Sequence, residues 1–553
     1  MADWSVPEGL EGDTGLLRVY ATTARADDRA CPQYLAAKAR PGLWPRQRSP
    51  RREPGLAQFS LDPVMALLDL VEYDGLTLEQ AQARLRDSRT ASRPHPGLLR
   101  WAGHAAAQYL AAGAAIDTLR GWVAEPTSRP WVMQVTPSGD AGGFTYELCA
   151  WGRRYESADG QMRELRLPRV KSVANRAIDP GEAAAAALVL ARGRVALGQP
   201  RSGKANLGRP QPVGWARVVE VGCEDGSWHV IFDDPPEKAR QQYDEHARRR
   251  LAAVTAGGEY RPGDSCADCK LLHTCPALPR RPGLLGIASS GRPVRTWSVT
   301  NGRHYMTCPA QEYYLDRLHL PPAAGSGLSS SVRRGQAVHA WLADRHAHQP
   351  ARPCAADDVP ETPDAWSAGG WEVTGEDARL GVQMIGDHSL TCALQDLPPG
   401  TVILPEHQLF VYDPDAAVLV IAKTDLLYES SGAWALRETK TTRAVSEGSL
   451  LERYPQAALG ILLLAAGIPS GSPQSNRFEL ERLTPAGPLL DSLDPSDADL
   501  LTEARRVIRD MVSKWREDDG AIATPGYGCR TCEASRWCPD AAASAPQEEN
   551  DDD

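Results

Sequence analysis

One cysteine pattern occurs twice and constrains the chain more than any other feature. Cys266-x2-Cys269-x5-Cys275-Pro276 returns with identical spacing as Cys529-x2-Cys532-x5-Cys538-Pro539. Each triplet has a lone Cys-Pro far upstream, Cys31-Pro32 and Cys308-Pro309, separated from it by 235 and 221 residues. One distant cysteine plus a triplet gives four thiolates. That fills the coordination of a cubane iron–sulfur cluster or of tetrahedral zinc, and spacing alone does not choose between them. Either group ties the first helix of a domain to its last segment, which is structural stapling rather than catalysis.

A third landmark lies between the cysteines. Tyr155-Glu-Ser-Ala-Asp-Gly and Tyr428-Glu-Ser-Ser-Gly each join two strand-like segments through a glycine-containing turn. Offsets between the halves are 277 residues at the lone Cys, 273 at Tyr-Glu-Ser and 263 at the last Cys. Three landmarks in one order at nearly constant offset indicate a tandem duplication. The boundary falls in the Pro/Gly/Arg-rich stretch Leu278–Val294. The expected organisation is residues 1–285 as a first domain, 286–540 as a second, and 541–553 as a disordered acidic tail.

A length of 553 residues fits this division, and 42% hydrophobic content is that of a folded chain. Met1-Ala-Asp-Trp-Ser-Val-Pro-Glu has neither the basic nor the apolar segment of a secretory signal. The longest apolar run, Leu459–Ile468, is too short to span a bilayer and reads as a buried helix. A cytoplasmic protein with no membrane partner is expected, and in a reducing compartment grouped cysteines bind metal rather than form disulfides. Only eight of the 61 basic residues are lysine, a bias typical of a high-GC bacterial genome. The position of any one lysine is therefore informative.

One of these lysines sits in the most chemically loaded stretch. Leu419 to Thr442 reads as paired strands around Ser430-Ser431-Gly432, with Glu438 and Lys440 at i and i+2 and so on one face of the second strand. Asp425 comes from the neighbouring strand. Two carboxylates and an ammonium at a sheet surface make a site for a hard cation. Mg²⁺ or Mn²⁺ prefers oxygen ligands and can activate a bound water toward a phosphodiester.

Ser298-Val-Thr, Cys308-Pro-Ala-Gln-Glu-Tyr-Tyr-Leu, Gly335-x3-His339, Asp425, Glu438-x-Lys440, Gln456 and the triplet Cys529/Cys532/Cys538 follow one another in a single order. This set resembles the RecB-like PD-(D/E)XK nucleases that carry a 4Fe–4S cluster, including AddB-type subunits and CRISPR-associated exonucleases. The resemblance implies an α/β fold, a restriction-endonuclease-like mixed sheet flanked by helices, here present twice with the first copy degenerate. It implies metal ligation by His339, Asp425, Glu438 and the Thr439 carbonyl, with Lys440 orienting water or stabilising developing charge. The cluster would take Cys308, Cys529, Cys532 and Cys538, and a second would take Cys31, Cys266, Cys269 and Cys275, with zinc as the alternative. The family's Gln-x3-Tyr becomes Gln456-x3-Gly460, with Tyr454 just before, so Gln456 and Tyr454 are the candidate DNA contacts. Glu406, ahead of Asp425 where the family often has a glutamate, is left without a role.

The expected function is a Mg²⁺- or Mn²⁺-dependent deoxyribonuclease, an exonuclease of repair, recombination or defence. Its partners would be DNA and a helicase or other subunit, since no ATPase motor is apparent. The alternative is a non-catalytic iron–sulfur DNA-binding scaffold beside a helicase.

The first half lacks the same chemistry. Aligned on the turn, Gly152 stands for Asp425, Leu165 or Arg166 for Glu438, and Leu167 or Pro168 for Lys440, with Glu164 out of register. The helix within Pro180–Ala191 offers no glutamine. Arg40, Arg46, Arg48, Arg51 and Arg52 near Trp44 could guide DNA, or belong to a Pro/Arg loop. Gly198-x4-Gly203-Lys204-Ala205 nearly matches a phosphate-binding loop, but alanine replaces the Ser/Thr and an Ala-rich helix precedes it. Cys149, Cys223, Cys354 and Cys392 have no spaced partners and read as simple buried cysteines.

Overall fold

The computed structural model describes the chain except residues 1–3, 26–28, 48–55, 57–58, 88–93, 120, 137–143, 199, 290, 324–328, 349–350, 399, 445–446, 473 and 545–553. Arg48, Arg51, Arg52 and most of the acidic tail lie outside the described residues, whereas 541–544 belong to the short 3₁₀ helix Pro539–Ser544. The chain packs as two compact units that do not follow a linear cut at residue 285. One comprises 1–278, 308–323 and 519–553, the other 279–307 and 324–518. Both are mixed α/β, with mixed sheets flanked by helices.

In the first unit, β1 (Leu16–Tyr20) runs parallel to β3 (Thr145–Cys149), which pairs antiparallel with β2 (Trp131–Val135). A second sheet orders β7 (Trp228–Asp234), β6 (Trp215–Gly222), β5 (Met162–Arg169), β4 (Arg153–Glu156) and the edge pair Glu125–Pro126. Only β6 and β5 are parallel in it, as a crossover connection requires. That crossover carries helix α3 (Pro180–Arg192), following α1 (Pro32–Lys38) and α2 (Pro96–Leu119) in chain order. Cys308, Cys529, Cys532 and Cys538 fold in this unit, where Trp537 packs edge-on to Trp101 at 4.9 Å.

In the second unit, β8 (Arg295–Trp297) is parallel to β10 (Val418–Lys423), which pairs antiparallel with β9 (Gln408–Asp413). The second sheet orders Ile403–Pro405, β11 (Leu426–Ser430), β12 (Ala433–Thr441), β13 (Arg477–Thr484) and β14 (Gly487–Leu493), with β12 and β13 parallel. Strand order and sense repeat those of the first unit over the strands named, while the first unit extends its first sheet beyond β2 by Arg194–Gly198 and Asn206–Leu207.

Helices α4 (Val299–Thr307), α5 (Ser330–Ala347), α6 (Gly375–His388), α7 (Pro455–Ala465) and α8 (Ala498–Glu517) complete the second unit. The turn between β11 and β12 has Ser431 at φ 53° and Gly432 at φ 81°, the doubly left-handed two-residue loop whose twist suits a hairpin. Apart from Gln456, helix α7 is apolar and lies buried between β12/β13 and the amphipathic α8, whose first turn is capped by Asp497. Gly460 of α7 makes this approach possible, because an added Cβ would lie 2.4 Å from Cε2 of the buried Phe478. The departure from Gln-x3-Tyr therefore has a packing cause.

The segment resembling a phosphate-binding loop follows the strand Arg194–Gly198 rather than directly following a helix. Its carbonyls at Pro200, Arg201 and Gly203 accept hydrogen bonds from the Arg18 guanidinium. A loop that aims carbonyl oxygens inward solvates a cation and repels phosphate.

Candidate active site

The chain crosses from one sheet of the second unit to the other at Thr424-Asp425, between β10 and β11. Two backbone bonds fix the crossing, Thr424 N–H to His407 O at 2.9 Å and Glu406 N–H to Asp425 O at 3.1 Å. The crossing directs Asp425 at β12, where its Oδ2 accepts the Thr439 amide at 2.7 Å. Glu438 and Lys440 flank Thr439 on the opposite pleat face and form an ion pair with each other. From α5, capped by Ser329, the imidazole of His339 brings Nδ1 to 3.3 Å from Asp425 Oδ1. Gln336, His339, Ala340 and Ala343 recur at helical spacing, so one face of α5 forms a wall of the site.

These groups line a cleft of about 750 Å³ together with Ser298, Glu406, Lys423 and Gln456. The cleft thus holds His339, Asp425, Glu438, Lys440 and Gln456 of the sequence-predicted residues. Tyr454 is not in its lining; it sits at the junction of Leu450–Arg453 with α7 and packs on the core. Gln456 lines the cleft, and its Oε1 is buried without a hydrogen-bond partner among the described residues.

Electrostatics mark the same spot. Burial and the adjacent Asp425 push the Glu438 carboxyl up to about 7 against the pull of Lys440. Burial opposes charge on Asp425, but His339 and Lys440 outweigh it and hold the carboxyl below its ordinary value. Burial likewise opposes charge on His339 and Lys440, yet the carboxylates beside them raise both. His339 on Asp425 and Lys440 on Glu438 thus offset the repulsion between the two carboxylates.

Residues 296–539 match the PD-(D/E)XK nuclease superfamily. The matched segment contains every cleft residue named above and extends over Cys308 and the last cysteine triplet. No curated protein matches the chain. Among solved structures, the crystal structure of SSO0001 is similar at 16% identity over 25% of this chain, with a TM-score of 0.18. The alignment spans 61% of that protein's length.

Several participants receive no role from the sequence. Glu406, with φ 52° in the left-handed region, turns the chain between Ile403–Pro405 and β9 and pairs with Lys423 at the cleft rim. Arg303 of α4 acts electrostatically on both Glu438 and Lys440. Most distant from expectation are Cys354 and Cys392. They are not isolated buried thiols but stand beside one another, the Cys354 amide 3.4 Å from Cys392 Sγ, next to two histidines.

The two predicted cysteine quartets both lie within the first unit. Cys269 is within electrostatic reach of Cys266, Cys31 and Cys275, and Cys532 of Cys308, Cys529 and Cys538. Burial pushes the Cys266 thiol up to about 11 and the Cys269 thiol up to about 12. Backbone amides point at sulfur in matching places. Arg261 N–H and Gly263 N–H donate to Cys31 and Cys266 at 3.3 Å, and Thr524 N–H and Gly526 N–H donate to Cys308 and Cys529 at 3.4 Å.

Proposed function

We propose that the cleft is the active centre of a divalent-metal-dependent deoxyribonuclease that hydrolyses phosphodiester bonds. The convergence of Asp425, Glu438 and Lys440 beside His339 carries this reading, since it unites hard oxygen donors, an imidazole and a cation in one buried cleft. Asp425, Glu438, the Thr439 carbonyl and His339 would hold Mg²⁺ or Mn²⁺. The ion would supply an activated water and a counter-charge for the phosphate. The fit rests on the chemistry of the donor set, two carboxylates and an imidazole lining one cleft beside a lysine.

The protein's own groups divide the remaining work. Lys440, held on Glu438, stands where it can orient water and stabilise charge developing on phosphate oxygens. The Thr439 amide keeps Asp425 in one rotamer, and His339 supports it from the helix side. Gln456 offers its side chain to the nucleic-acid backbone. Exonucleolytic action in repair, recombination or defence, alongside a helicase subunit, completes the reading. No described helix is long and apolar enough to cross a membrane.

Each cysteine quartet would bind a 4Fe–4S cluster, with amide-to-sulfur bonds stabilising the thiolates. The repeated strand order, the 263-residue offset between Gly263 and Gly526, and the shared cysteine plan support a tandem duplication with a catalytically silent first copy.

The test is degradation of labelled single- and double-stranded DNA with Mg²⁺ or Mn²⁺, with EDTA and an Asp425→Asn variant as controls. Metal-dependent cleavage lost in the variant supports the proposal. Binding without cleavage by the wild type would instead identify a non-catalytic scaffold.

A further inference from the structure

His346, Cys354, His388 and Cys392 come from four separate places in the second unit: the last turn of α5, the loop after it, the end of α6, and the residue preceding the 3₁₀ turn Ala393–Asp396. All four are buried, at 5%, 6%, 0% and 4% exposure. Their ligand atoms lie within 4.8 Å of one another. The individual separations are 3.3 Å from His346 Nε2 to His388 Nε2, and 3.5 and 3.9 Å from His346 Nε2 to the sulfurs of Cys354 and Cys392.

These three separations approach those between ligand atoms on a tetrahedron around one small ion. Bonds of ~2.3 Å to sulfur and ~2.05 Å to nitrogen give edges of roughly 3.3 Å between nitrogens and 3.5 Å from nitrogen to sulfur. Two imidazole nitrogens this close in a dry core would compete for one proton, whereas a shared cation satisfies both. The outer contacts fit as well. His388 Nδ1 faces Glu481 Oε1 at 2.7 Å, the carboxylate–histidine arrangement that fixes tautomer and ring orientation in metal centres.

We propose that these four residues form a structural Cys2His2 zinc site. It is closed, with four protein ligands and no open position, so it staples rather than catalyses. Through His346 it anchors α5, the helix that carries His339, and through His388 it anchors α6. Glu481 of β13 then passes the constraint onward, because its Oε2 accepts the Thr439 hydroxyl at 3.0 Å. Zinc would therefore brace the strand bearing Glu438 and Lys440 from the side opposite the cleft. The site stands independently of whether the cleft cuts DNA, and it is separate from both cysteine quartets.

Metal analysis of full-length wild type beside a Cys354→Ser/Cys392→Ser double variant tests it. The wild type should contain one zinc equivalent per chain more than the variant, with equal iron in both, and a strong chelator should lower the wild-type Tm toward that of the variant. Equal zinc in the two proteins overturns the proposal. Should the double variant not fold, native wild type carries the test by alkylation and peptide mass spectrometry. Cys354 and Cys392 should resist iodoacetamide until a zinc chelator is added; any other pattern, including a Cys354–Cys392 disulfide, overturns it.

Discussion

The Thr439 amide donates to Asp425 Oδ2 across 2.7 Å, so the residue between Glu438 and Lys440 also locks the carboxylate of the neighbouring strand. A single peptide unit thereby sets the separation of the two candidate ligands. Asp425→Asn, Glu438→Gln and Lys440→Ala should each lower Mg²⁺-dependent DNA cleavage by about a hundredfold or more. The losses should not multiply in the double variants, because the residues act as one unit. Single-turnover rates check this, with circular dichroism confirming the fold. Near wild-type rates in all three variants would refute the assignment.

The parts of this site that were legible in the sequence are those set by local rules. Alternation put Glu438 and Lys440 on one face, and Ser431-Gly432 marked the hairpin. The ordered motifs pointed to His339, which no local rule would have chosen. Cys354 and Cys392 were illegible because their partnership depends on α5 and α6 packing side by side, a contact without a spacing signature. The placement of Tyr454 was illegible for a related reason: Pro455 starts a new helix, and the ring, partly buried, packs against the core.

The approach of α7 to β13 depends on Gly460. Gly460→Ala places a methyl 2.4 Å from Cε2 and 2.6 Å from Cδ2 of Phe478, inside a core that has no room to yield. The expected destabilisation is about 2 kcal/mol, net of alanine's better helix propensity. Urea unfolding should show it as a lower midpoint with an unchanged slope. Pairing it with Phe478→Leu should recover part of the loss.

A buried charge cluster next to the site makes stability depend on pH. Glu479 accepts bonds from Tyr428 Oη at 2.9 and 2.8 Å, from Arg437 Nε at 2.8 Å and from Arg477 Nε at 2.7 Å. Burial raises its pKa, but Arg437 and the other donors outweigh this and leave it below the ordinary 4.5. A depressed folded-state value means the stabilisation is present above 4.5 and disappears as pH falls through the folded pKa. Glu479→Gln should be less stable than wild type by about 3 kcal/mol at neutral pH. The gap should narrow below pH 4.5 in parallel denaturant titrations. A gap independent of pH would show that packing, not charge, is responsible.

If the quartets hold clusters, anaerobically purified protein should be brown, with up to about eight irons per chain. Cys529→Ser or Cys532→Ser should halve the iron and destabilise the unit that contains Trp101 and Trp537, because the cluster closes that region. Iron and sulfide assays with visible absorbance check this. Zinc in place of iron at the quartets would refute it.

The silent first copy makes the last prediction. Tyr155 pairs with Glu164 as Tyr428 pairs with Ala435, so overlaying the two hairpins puts Gly152 at Asp425, Leu167 at Glu438 and Arg169 at Lys440. This register differs from the turn-based alignment because the β4–β5 turn is longer than the two-residue β11–β12 turn. Where the second unit gathers carboxylates for a cation, the first has a positive charge already in place: Arg169 bonds Glu182 at 2.9 Å and also pairs with Glu220. Arg169 neutralises Glu182 and Glu220, so these carboxylates hold a guanidinium where Mn²⁺ would otherwise be drawn. Full-length protein carrying Asp425→Asn and Glu438→Gln should therefore cut no DNA and show no tight Mn²⁺ site by electron paramagnetic resonance. Arg169→Ala in an otherwise wild-type chain should lower Tm while leaving the cleavage rate unchanged. Residual Mn²⁺-dependent cleavage in the double variant would place a working centre in the first unit and end the reading of it as silent.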